Sequence, residues 1–401
     1  MKNIDKNRQG QSFKSAEVVT LVIITCIVSL LMGIIISEPE FSSYDEFTKT
    51  DSELQNFIEQ YDYIVNNYYG EADKKKLLEA ALEGMVNSLE DPYSTYMDEN
   101  ASSNFNATLD GSYEGIGVEI TNDINYNIVV TQVFENTPAS KAGIKPLDII
   151  VSLDGKKITN MATSDFVQRV KELKSASFTL EIKRGEENLI MTVSREKVTL
   201  SSVTSEIIEK NNKRIGYMYI SIFAMNTDSQ FKTQLEKLET EEFDSLIIDL
   251  RGNSGGHLTT VENMISEFLD NSHVIYQIET KTKTTKYYSN GKETKKYPIV
   301  LLVDKDSASA SEMMAAALKE SYGATIVGKT TYGKGTVQEL QNNNGNQYKI
   351  TTKKWLTPNG NWINEIGINP DYEVEINEAY FNNPTKENDE QLQKAIEILS
   401  K

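Results

Sequence analysis

Apolar positions follow three different patterns along this chain, and each pattern predicts a different kind of element. Residues 18–36 are largely apolar and carry no charge, and a run of that length just crosses the hydrocarbon core of a bilayer as a helix. Apolar residues then recur at helical spacing over residues 54–65 and again over residues 74–89, where Asp91-Pro92 ends the second helix. The N-terminal region is therefore predicted to hold a transmembrane helix, a polar linker and two further helices.

Between residues 111 and 195 the pattern changes to short runs of β-branched and aromatic residues separated by glycine. These runs are typical of short strands, and they read YEGIGVEI, NIVVTQVF, DIIVSLDG, FTLEIKRG and LIMTVSRE. A single helix is predicted among them, near residues 164–173. This order of elements favours a small, partly open β-barrel.

From residue 215 onward, strand patterns alternate with helical patterns. Helices are predicted near residues 230–238, 259–269 and 311–321. The strands at residues 246–248 and 299–303 are apolar at every position, which is typical of strands that other elements cover on both faces. The predicted fold is therefore an α/β core, a mixed sheet flanked by helices, preceded by the β-rich domain. Residues 281–296, rich in lysine and threonine, are predicted to form an exposed hairpin.

Composition narrows the classes of function. The chain has 401 residues and a net charge of −18, so it is long enough for about two or three domains and repels the phosphate backbone of nucleic acids. Its lone cysteine, Cys26, falls within the apolar run, which leaves no pair for a disulfide framework and no thiolate cluster for zinc. We therefore expect no nucleic-acid partner and no metal site.

Charge also predicts the orientation of the apolar run. Lys2, Lys6, Arg8 and Lys14 precede it, and positive flanks stay in the cytoplasm, so the acidic remainder is predicted to lie outside the cell, anchored in the cell membrane by a single span. A cleaved signal peptide is the alternative, although the run is long for one and no small-x-small cleavage site follows it. Abundant lysine, asparagine and isoleucine favour a Gram-positive bacterium.

The first candidate for chemistry is a serine-rich corner between an apolar strand and a helix, at residues 306–312. A serine at the N-terminus of a helix can attack a carbonyl while backbone N–H groups of the first turn bind the developing negative charge. Ser309 has this position in the sequence. The alternative is structural, because Ser309 and Glu312 also form the pattern of an N-terminal capping box.

A nucleophilic serine needs a base, for which the chain offers two histidines and a glycine-flanked lysine. His257 follows a glycine-rich loop and could complete a Ser-His-Asp arrangement, whereas His273 lies in a polar turn typical of the surface. Lys334 stands between Gly333 and Gly335, which allow close backbone approach. Burial lowers the pKa of a lysine, so a desolvated Lys334 could accept the serine proton.

A glycine-rich loop at residues 249–256 follows one of the apolar strands. Such a loop directs backbone donors at an anion, either an oxyanion or a phosphate. Gly328, Gly333 and Lys334 nearly match the phosphate-binding P-loop, but Gly335 stands where a serine or threonine ligand for magnesium is required. An exported nucleotide hydrolase is therefore the weaker alternative.

Three segments, in this order along the chain, resemble the C-terminal processing (tail-specific) serine proteases. They are LIIDLRGNSGG, LLVDKDSASASEMMAAALK and IVGKTTYGKGTVQEL, and the resemblance extends from about Tyr61 to the C-terminus. In that family a PDZ domain is inserted into an α/β protease core. The resemblance implies hydrolysis of peptide bonds through an acyl-enzyme, without a cofactor.

The resemblance also implies specific catalytic roles. Ser309 corresponds to the nucleophile, Lys334 to the general base and Gln338 to the residue that orients the lysine. The backbone N–H groups of Ala310 and Gly256 correspond to the oxyanion hole.

The β-rich insert is similar to a PDZ domain, in which backbone amides of one loop capture the carboxylate of a peptide. That loop would be Gly115, Ile116, Gly117 and Val118, with the peptide added as a strand beside it. Leu147 departs from the family pattern, because a glycine is usual at its position. The expected partners are proteins or peptides with free C-termini.

These predictions divide the chain into segments of different character. They are a cytoplasmic tail (1–17), a transmembrane helix (18–36), a linker and N-terminal helical region (37–108), a PDZ domain (109–197), a serine protease core (198–375) and a C-terminal helical tail (376–401). The predicted function is a membrane-anchored endopeptidase that recognises substrate C-termini and cuts with a Ser-Lys dyad, and that could pair as a homodimer. The alternative is a catalytically inactive PDZ scaffold at the membrane.

Overall fold

The structure is a computed structural model that describes residues 52–343, 345–378, 380 and 383–401. It divides the chain into two units, Met1–Ala80 and Ala81–Lys401. The predicted cytoplasmic tail and transmembrane helix, residues 1–36, lie outside the described residues. Among the residues that are described, no helix combines the length and the apolar character that a membrane span requires.

Two helices occupy the region predicted to be helical after the apolar run. Helix α1 spans Ser52–Asn67 and helix α2 spans Lys74–Asn87, close to the predicted bounds. The apolar side chains of α1 recur at helical spacing, yet Leu54, Phe57 and Ile58 each expose 43–48% of their surface. These apolar side chains of α1 are therefore exposed among the residues that the structure describes.

A short segment leads from α2 to the β-rich domain. It forms strand β1, Thr95–Met97, and helix α3, Glu99–Asp110. The side chain of Asp98 caps α3 by accepting the Ala101 N–H at 2.8 Å. Helix α3 was not predicted, because its sequence has too few apolar residues to show a helical period.

The strands of the β-rich domain coincide with the runs predicted for them. In chain order the elements are β2 (Ser112–Gly115), β3 (Val118–Asn122), β4 (Ile128–Val133), α4 (Pro138–Ala142), β5 (Ile149–Leu153), β6 (Lys156–Lys157), α5 (Thr163–Glu172), β7 (Ser177–Arg184), β8 (Glu187–Ser194) and β9 (Glu196–Thr199). Strands β3, β4, β5, β7 and β8 pair in that order into an antiparallel sheet. Along β7, Phe178, Leu180 and Ile182 are buried and the residues between them are not, so the alternation of the sequence directs every second side chain into the core.

The two ends of this domain lie side by side. Strands β2 and β9 pair antiparallel, with Ser112 opposite Thr199 and Gly115 opposite Glu196. The chain therefore enters and leaves the domain at one place, as expected for a domain inserted into another.

The remaining elements build the α/β core. In chain order they are β10 (Val203–Lys210), β11 (Lys213–Ile220), α6 (Thr227–Thr240), β12 (Ser245–Asp249), α7 (Leu258–Ile265), β13 (Val274–Glu279), β14 (Thr284–Tyr288), β15 (Ile299–Val303), α8 (Ala310–Ala317), β16 (Thr325–Gly328), β17 (Thr336–Asn343), β18 (Asn346–Leu356), β19 (Tyr372–Glu373) and α9 (Glu390–Leu399). Within the described part of the chain, β10, β11, β12, β15, β16 and β19 form one sheet in that order. Strands β10 and β11 are antiparallel and the other neighbours are parallel, so the sheet is mixed, as predicted.

Helices cover both faces of this mixed sheet. Helices α6, α7 and α8 contribute Phe231, Val261 and Met314, among others, to the core on one face. Helix α9 packs on the other face, where Leu392 joins Ile247 of β12. Every residue of β12 and β15 is buried, which confirms the prediction from their uninterrupted apolar runs. Helix α9, in the predicted C-terminal tail, is thus part of the core.

A second sheet carries the strands that follow the glycine-flanked lysine. Its strand order is β1-β18-β13-β14, and β17 pairs with β18. Strand β1 lies in the predicted N-terminal helical region, yet it pairs with β18, where Thr95 is opposite Lys349. The protease core therefore draws one strand from the chain ahead of the PDZ-like domain.

Candidate active site

Ser309 lies at the corner between β15 and α8, where the backbone is strained. Its φ and ψ are 56° and −110°, outside the regions that non-glycine residues usually adopt. Torsions of this kind cost about 1–3 kcal/mol and persist only where the surroundings hold them. Ser307 gives part of that support, since its hydroxyl donates to the Leu250 carbonyl at 2.9 Å. The predicted nucleophile is thus held, half-buried, at a helix N-terminus.

A buried carboxylate joins this corner to the glycine-flanked lysine. Glu312 has no exposed surface, and its Oε2 accepts the N–H groups of Ser309 at 2.8 Å and of Lys334 at 2.9 Å. Its Oε1 accepts the Thr331 hydroxyl and the Gly333 N–H, each at 2.6 Å. Because four donors satisfy the carboxylate, it can be buried as an anion. The shared acceptor holds the backbones of the predicted nucleophile and base side by side.

Only one of these four hydrogen bonds could be predicted from the sequence. The capping-box pattern predicts the bond between the Ser309 N–H and the Glu312 side chain, and this bond is present. The bonds from Thr331, Gly333 and Lys334 come from residues 19 to 22 positions further along the chain, beyond the reach of a local pattern. A signal did exist, because Glu312 is the one acidic residue in α8, a helix whose residues are all buried.

The Lys334 side chain is largely shielded from water. Burial lowers the pKa of its ammonium group, Lys349 lowers it further, and the carboxylates of Glu312 and Asp91 oppose these effects without cancelling them. Among the described residues, Nζ makes no ion pair or hydrogen bond, and it lies 5.1 Å from the centre of the Tyr93 ring. A lysine in this environment releases its proton more readily than one in water.

The structure brings together the backbones of the predicted catalytic residues but not their reactive atoms. No hydrogen bond joins Ser309 Oγ to Lys334 Nζ, or Gln338 to Lys334, within the described residues. Gln338 lies on β17, where its Nε2 donates to the hydroxyls of Thr336 at 2.9 Å and Thr351 at 3.0 Å. This leaves Oε1 as the atom that could accept a hydrogen bond from the lysine. Unformed contacts of this kind are common in active sites without substrate.

The glycine-rich loop after β12 packs directly against Ser309. A side chain on Gly255 would lie 2.8 Å from the Ala308 carbonyl oxygen and 3.0 Å from the Ala310 nitrogen, so the loop can approach only as glycine. The N–H of Gly255 is already bonded to the Asn253 side chain at 2.9 Å. Gly255 therefore cannot offer this N–H to a substrate.

The two N–H groups predicted for the oxyanion hole are unoccupied. Neither Gly256 nor Ala310 donates a backbone hydrogen bond to any described residue. Ala310 is the first residue of α8, where N–H groups lack partners within the helix. Gly256 is held in place through its neighbours, since the His257 N–H donates to the Phe223 carbonyl at 2.7 Å. An oxyanion hole requires N–H donors that are free in this way.

The histidines offer less than Lys334 does. In the described part of the chain neither is hydrogen-bonded to Ser309. His257 is the N-cap residue just before α7, and among the described residues its Nε2 is buried without a partner. His273 lies in a polar turn, with Nδ1 3.2 Å from Asp270. Among the described residues there is also no group of three or more His, Cys, Asp or Glu that could hold a metal ion.

A groove of about 530 Å³ lies on the PDZ-like domain beside β3. Gly115, Ile116 and Val118 line one side of it, and Phe166 of α5 lines the other. Gly117 has a φ of 85°, a conformation that favours glycine, and it turns the chain from β2 into β3. The four residues predicted to bind a carboxylate thus lie at or beside a mainly apolar groove of the kind that accepts a peptide strand.

Helix α3 closes the groove from a third side, which the sequence did not indicate. Asn104 and Thr108 line the groove, and the Lys171 side chain donates to Asn104 Oδ1 at 3.1 Å. Helix α3 follows β1 and the turn that contains Tyr93. One continuous segment therefore reaches from the groove to the ring beside Lys334.

Three family profiles match different parts of this chain. The sequence profile described as "Peptidase family S41" matches residues 214–374, the "PDZ domain" profile matches residues 106–183, and the "Activating protease CtpB N-terminal domain" profile matches residues 36–101. The carboxy-terminal processing protease CtpB of Bacillus subtilis is 36% identical over 341 residues, which cover 83% of this chain and 71% of that protein. The carboxy-terminal processing protease CtpA of the same organism is 34% identical over 360 residues, which cover 89% of this chain and 76% of that protein.

A solved structure shares the fold. It is that of a Bacteroides fragilis protein assigned to the S41 proteases, which superposes with a TM-score of 0.52 at 17% identity. The superposition covers 83% of this chain and 91% of the other. At this identity the likeness concerns the fold alone.

Proposed function

Because this chain belongs to peptidase family S41, as a carboxy-terminal processing serine protease with a PDZ domain, we propose that it cuts polypeptides with a dyad of Ser309 and Lys334. The observation that carries the proposal is the Glu312 carboxylate, which accepts the N–H groups of both residues on one oxygen. A shared acceptor limits the separation of nucleophile and base, and acyl transfer depends on that separation.

In the first half of this mechanism, the neutral amine of Lys334 accepts the proton of Ser309 as Oγ attacks the peptide carbonyl. The carbonyl oxygen becomes negative and binds the free N–H groups of Gly256 and Ala310. The Lys334 ammonium, held by Oε1 of Gln338, then gives its proton to the leaving amine. The C–N bond breaks and the acyl-enzyme remains.

In the second half, water attacks the acyl carbonyl while Lys334, neutral again, accepts a proton from it. The same two N–H groups bind the second oxyanion. Collapse of this intermediate breaks the bond to Ser309, and the proton returns from Lys334 to Oγ. No cofactor takes part in either half.

The groove beside Gly115, Ile116, Gly117 and Val118 is proposed to bind the free C-terminus of a substrate. Backbone amides of the loop take the carboxylate, and the chain adds as a strand beside β3. We also propose that an occupied groove favours an aligned dyad, since α3 lines the groove and is continuous with the turn beside Lys334. Equal turnover of a small substrate with and without a tail peptide would refute this regulation.

The location of the enzyme is proposed from the sequence. Residues 18–36 anchor it in the cell membrane of a Gram-positive bacterium, with the catalytic part outside. The exposed apolar face of α1 offers a surface for a second copy of the chain. Washing membranes at alkaline pH tests the anchor, and light scattering of the detergent-solubilised protein tests the homodimer.

Labelling with a serine-reactive phosphonate tests the dyad. We expect one label per chain, on Ser309, and none after Lys334→Ala. Loss of labelling in His257→Ala but not in Lys334→Ala would indicate a Ser-His-Asp enzyme instead. A chain that binds tail peptides yet never takes the label would be the inactive PDZ scaffold.

A further inference from the structure

The turn between α2 and β1 contacts the part of the second sheet that also holds Gln338. Ser94 is buried, its hydroxyl donates to Oδ2 of Asp91 at 2.5 Å, and it accepts the Thr351 N–H at 3.0 Å. The Asp91 carboxylate also accepts the Tyr93 N–H at 3.1 Å. Burial alone would raise the pKa of Asp91, but these hydrogen bonds outweigh burial and lower the pKa, so the group is an anion at neutral pH.

An ionised carboxylate can only accept hydrogen bonds, and this sets the direction of the bonds next to it. The Ser94 hydroxyl gives its single proton to Asp91, so it can only accept from the Thr351 N–H, and it thereby holds the Thr351 backbone in place. The side chain of Thr351, held in this way, contacts Gln338, whose Nε2 donates to Thr351 Oγ1 at 3.0 Å and to Thr336 Oγ1 at 2.9 Å. The amide is therefore fixed with Oε1 pointing away from both hydroxyls, free to hold a lysine amine.

The second sheet is irregular at this position. The register of β17 on β18 shifts between Val337, opposite Lys353, and Gln338, opposite Thr351. Thr352 is the extra residue of this bulge. Bulges beside active sites redirect side chains, and here the bulge puts Gln338 directly across from the threonine that Ser94 holds.

We propose that Asp91 is a positioning residue for catalysis, which fixes the Gln338 amide through Thr351 and thereby fixes the amine of Lys334. The inference rests on the proposed function, because it requires Lys334 to be the base. The Tyr93 ring of the same turn lies 5.1 Å from Lys334 Nζ and restricts where the amine can move.

Tyr93 is not itself the base. Burial and a hydrogen bond with Tyr332 raise the pKa of its phenol to about 12, so it remains protonated at neutral pH. Its role is to cover the amine, whereas the role of Asp91 is to orient the hydrogen bonds that hold it.

The test compares Asp91→Asn and Thr351→Val on a small chromogenic peptide. Each should lower kcat about ten- to hundredfold, the usual cost of a lost hydrogen bond to a charged group, and leave KM unchanged. The double variant should be no slower than the slower single variant, because both changes break one chain of hydrogen bonds. Thr351→Ser, which keeps the hydroxyl, should restore the rate.

The pH profile separates this role from that of a merely structural turn. Without Oε1 beside it the ammonium is less stable, so the pKa of Lys334 falls and the rising limb of kcat/KM moves to lower pH in Thr351→Val. A loosened turn would admit water to Nζ, raise that pKa and move the limb to higher pH. A shift to higher pH, an unchanged rate in Thr351→Val, or losses that add in the double variant would overturn the proposal.

Asp123→Asn is the matched control for the charge change. Asp123 also accepts N–H groups of its own turn, those of Asn125 and Asn127, but it lies in the PDZ-like domain. Its kcat and pH profile should equal those of the unchanged protein. Full activity in Lys334→Ala would end the proposed function, whereas an inactive Lys334→Ala beside a fully active Thr351→Val would end only the role of Asp91. The pair Thr351→Val and Thr351→Ser decides the question even if Asp91→Asn does not fold.

Discussion

The backbone strain at Ser309 and the burial of Glu312 stabilise each other. The torsions of Ser309 cost about 1–3 kcal/mol, and a hydrogen bond to a charged group contributes about 1.5–3 kcal/mol. The bond from the Ser309 N–H to Glu312 therefore suffices to offset the strain. Four donors in turn satisfy the buried carboxylate of Glu312.

We expect Glu312→Gln to lower the free energy of unfolding by about 2–4 kcal/mol, because an amide has one acceptor oxygen and leaves two buried donors without a partner. The kcat should fall as well, since Ser309 and Lys334 lose their common acceptor. Urea unfolding and kinetics on a small peptide measure the two effects. Glu267→Gln removes an exposed carboxylate paired with Lys232 and should change neither. Equal stability of both variants would contradict the role of Glu312.

Activity should rise with pH through the pKa of Lys334 and level off above it. Only the neutral amine accepts a proton, and burial lowers its pKa below the usual 10.5, so the rising limb should lie below that value. Lys334→Arg should be inactive, because a guanidinium stays protonated. The measurement is kcat/KM against pH, with stability checked at each pH. If kcat/KM instead rises at the pH where histidines usually titrate, and this rise disappears in His257→Ala, His257 is the base rather than Lys334.

At the scale of elements, the sequence predicts those features of a strand or helix that depend on its own residues. It does not predict the features that depend on pairing with a distant strand. The apolar runs of β12 and β15 and the period of α5 depend on burial of the element itself, and these predictions are confirmed. Strand β1 has no such pattern, because its place depends on a partner about 250 residues away, with Thr95 opposite Lys349. The bulge between Val337 and Gln338 is likewise a property of two strands together.

The candidate site divides in the same way. Ser309, Lys334 and the glycine-rich loop lie in continuous segments that resemble a known family, so the sequence alone could propose them. Three of the four bonds of Glu312 and the contacts of Asp91 join loops that only the folded sheets bring together. The roles of Ser309, Lys334 and Gln338 stay predictions until the variants are measured.

The turn before β5 contains a residue that is strained without a catalytic reason. Leu147 has a φ of 71° and exposes 79% of its surface, where the family pattern has glycine. We expect Leu147→Gly to raise the free energy of unfolding by about 0.5–1 kcal/mol, because relief of a left-handed side chain exceeds the entropy that glycine adds to the unfolded state. Leu147→Ala keeps the strain and should gain nothing. Denaturant unfolding of the unchanged protein and the two variants measures these free energies. A lower free energy of unfolding in Leu147→Gly would contradict the interpretation.

At the scale of the molecule, one segment connects the peptide groove to the proposed base. It begins with Tyr93 beside Lys334, continues through β1 in the second sheet, and ends in α3, whose Asn104 and Thr108 line the groove. A peptide that displaces α3 must therefore act on a segment that also contacts the lysine. This is a contiguous physical route for coupling, and the coupling itself is measurable.

Coupling of this kind must be reciprocal. If a tail peptide favours the aligned dyad, a reversible peptidyl boronate on Ser309 should tighten binding of the tail peptide by the same factor by which the peptide tightens the boronate, about 5- to 150-fold for typical coupling energies. Fluorescence anisotropy of a labelled tail peptide, with and without boronate, measures one factor, and inhibitor titration measures the other. Ser309→Ala, which cannot form the adduct, should show neither. If neither the Kd of the tail peptide nor that of the boronate changes when the other ligand is present, the groove and the active site are not coupled.

The pairing of β2 with β9 also bears on how such enzymes diversify. Because the two strands leave the core a single strand spacing apart, about 5 Å, a replacement module needs only ends that meet at that distance. Exchange of everything between Gly115 and Glu196 would alter which tails are selected while the hydrolytic machinery kept its residues. Recombination where β2 pairs with β9 would let peptide recognition and peptide-bond cleavage evolve independently of each other.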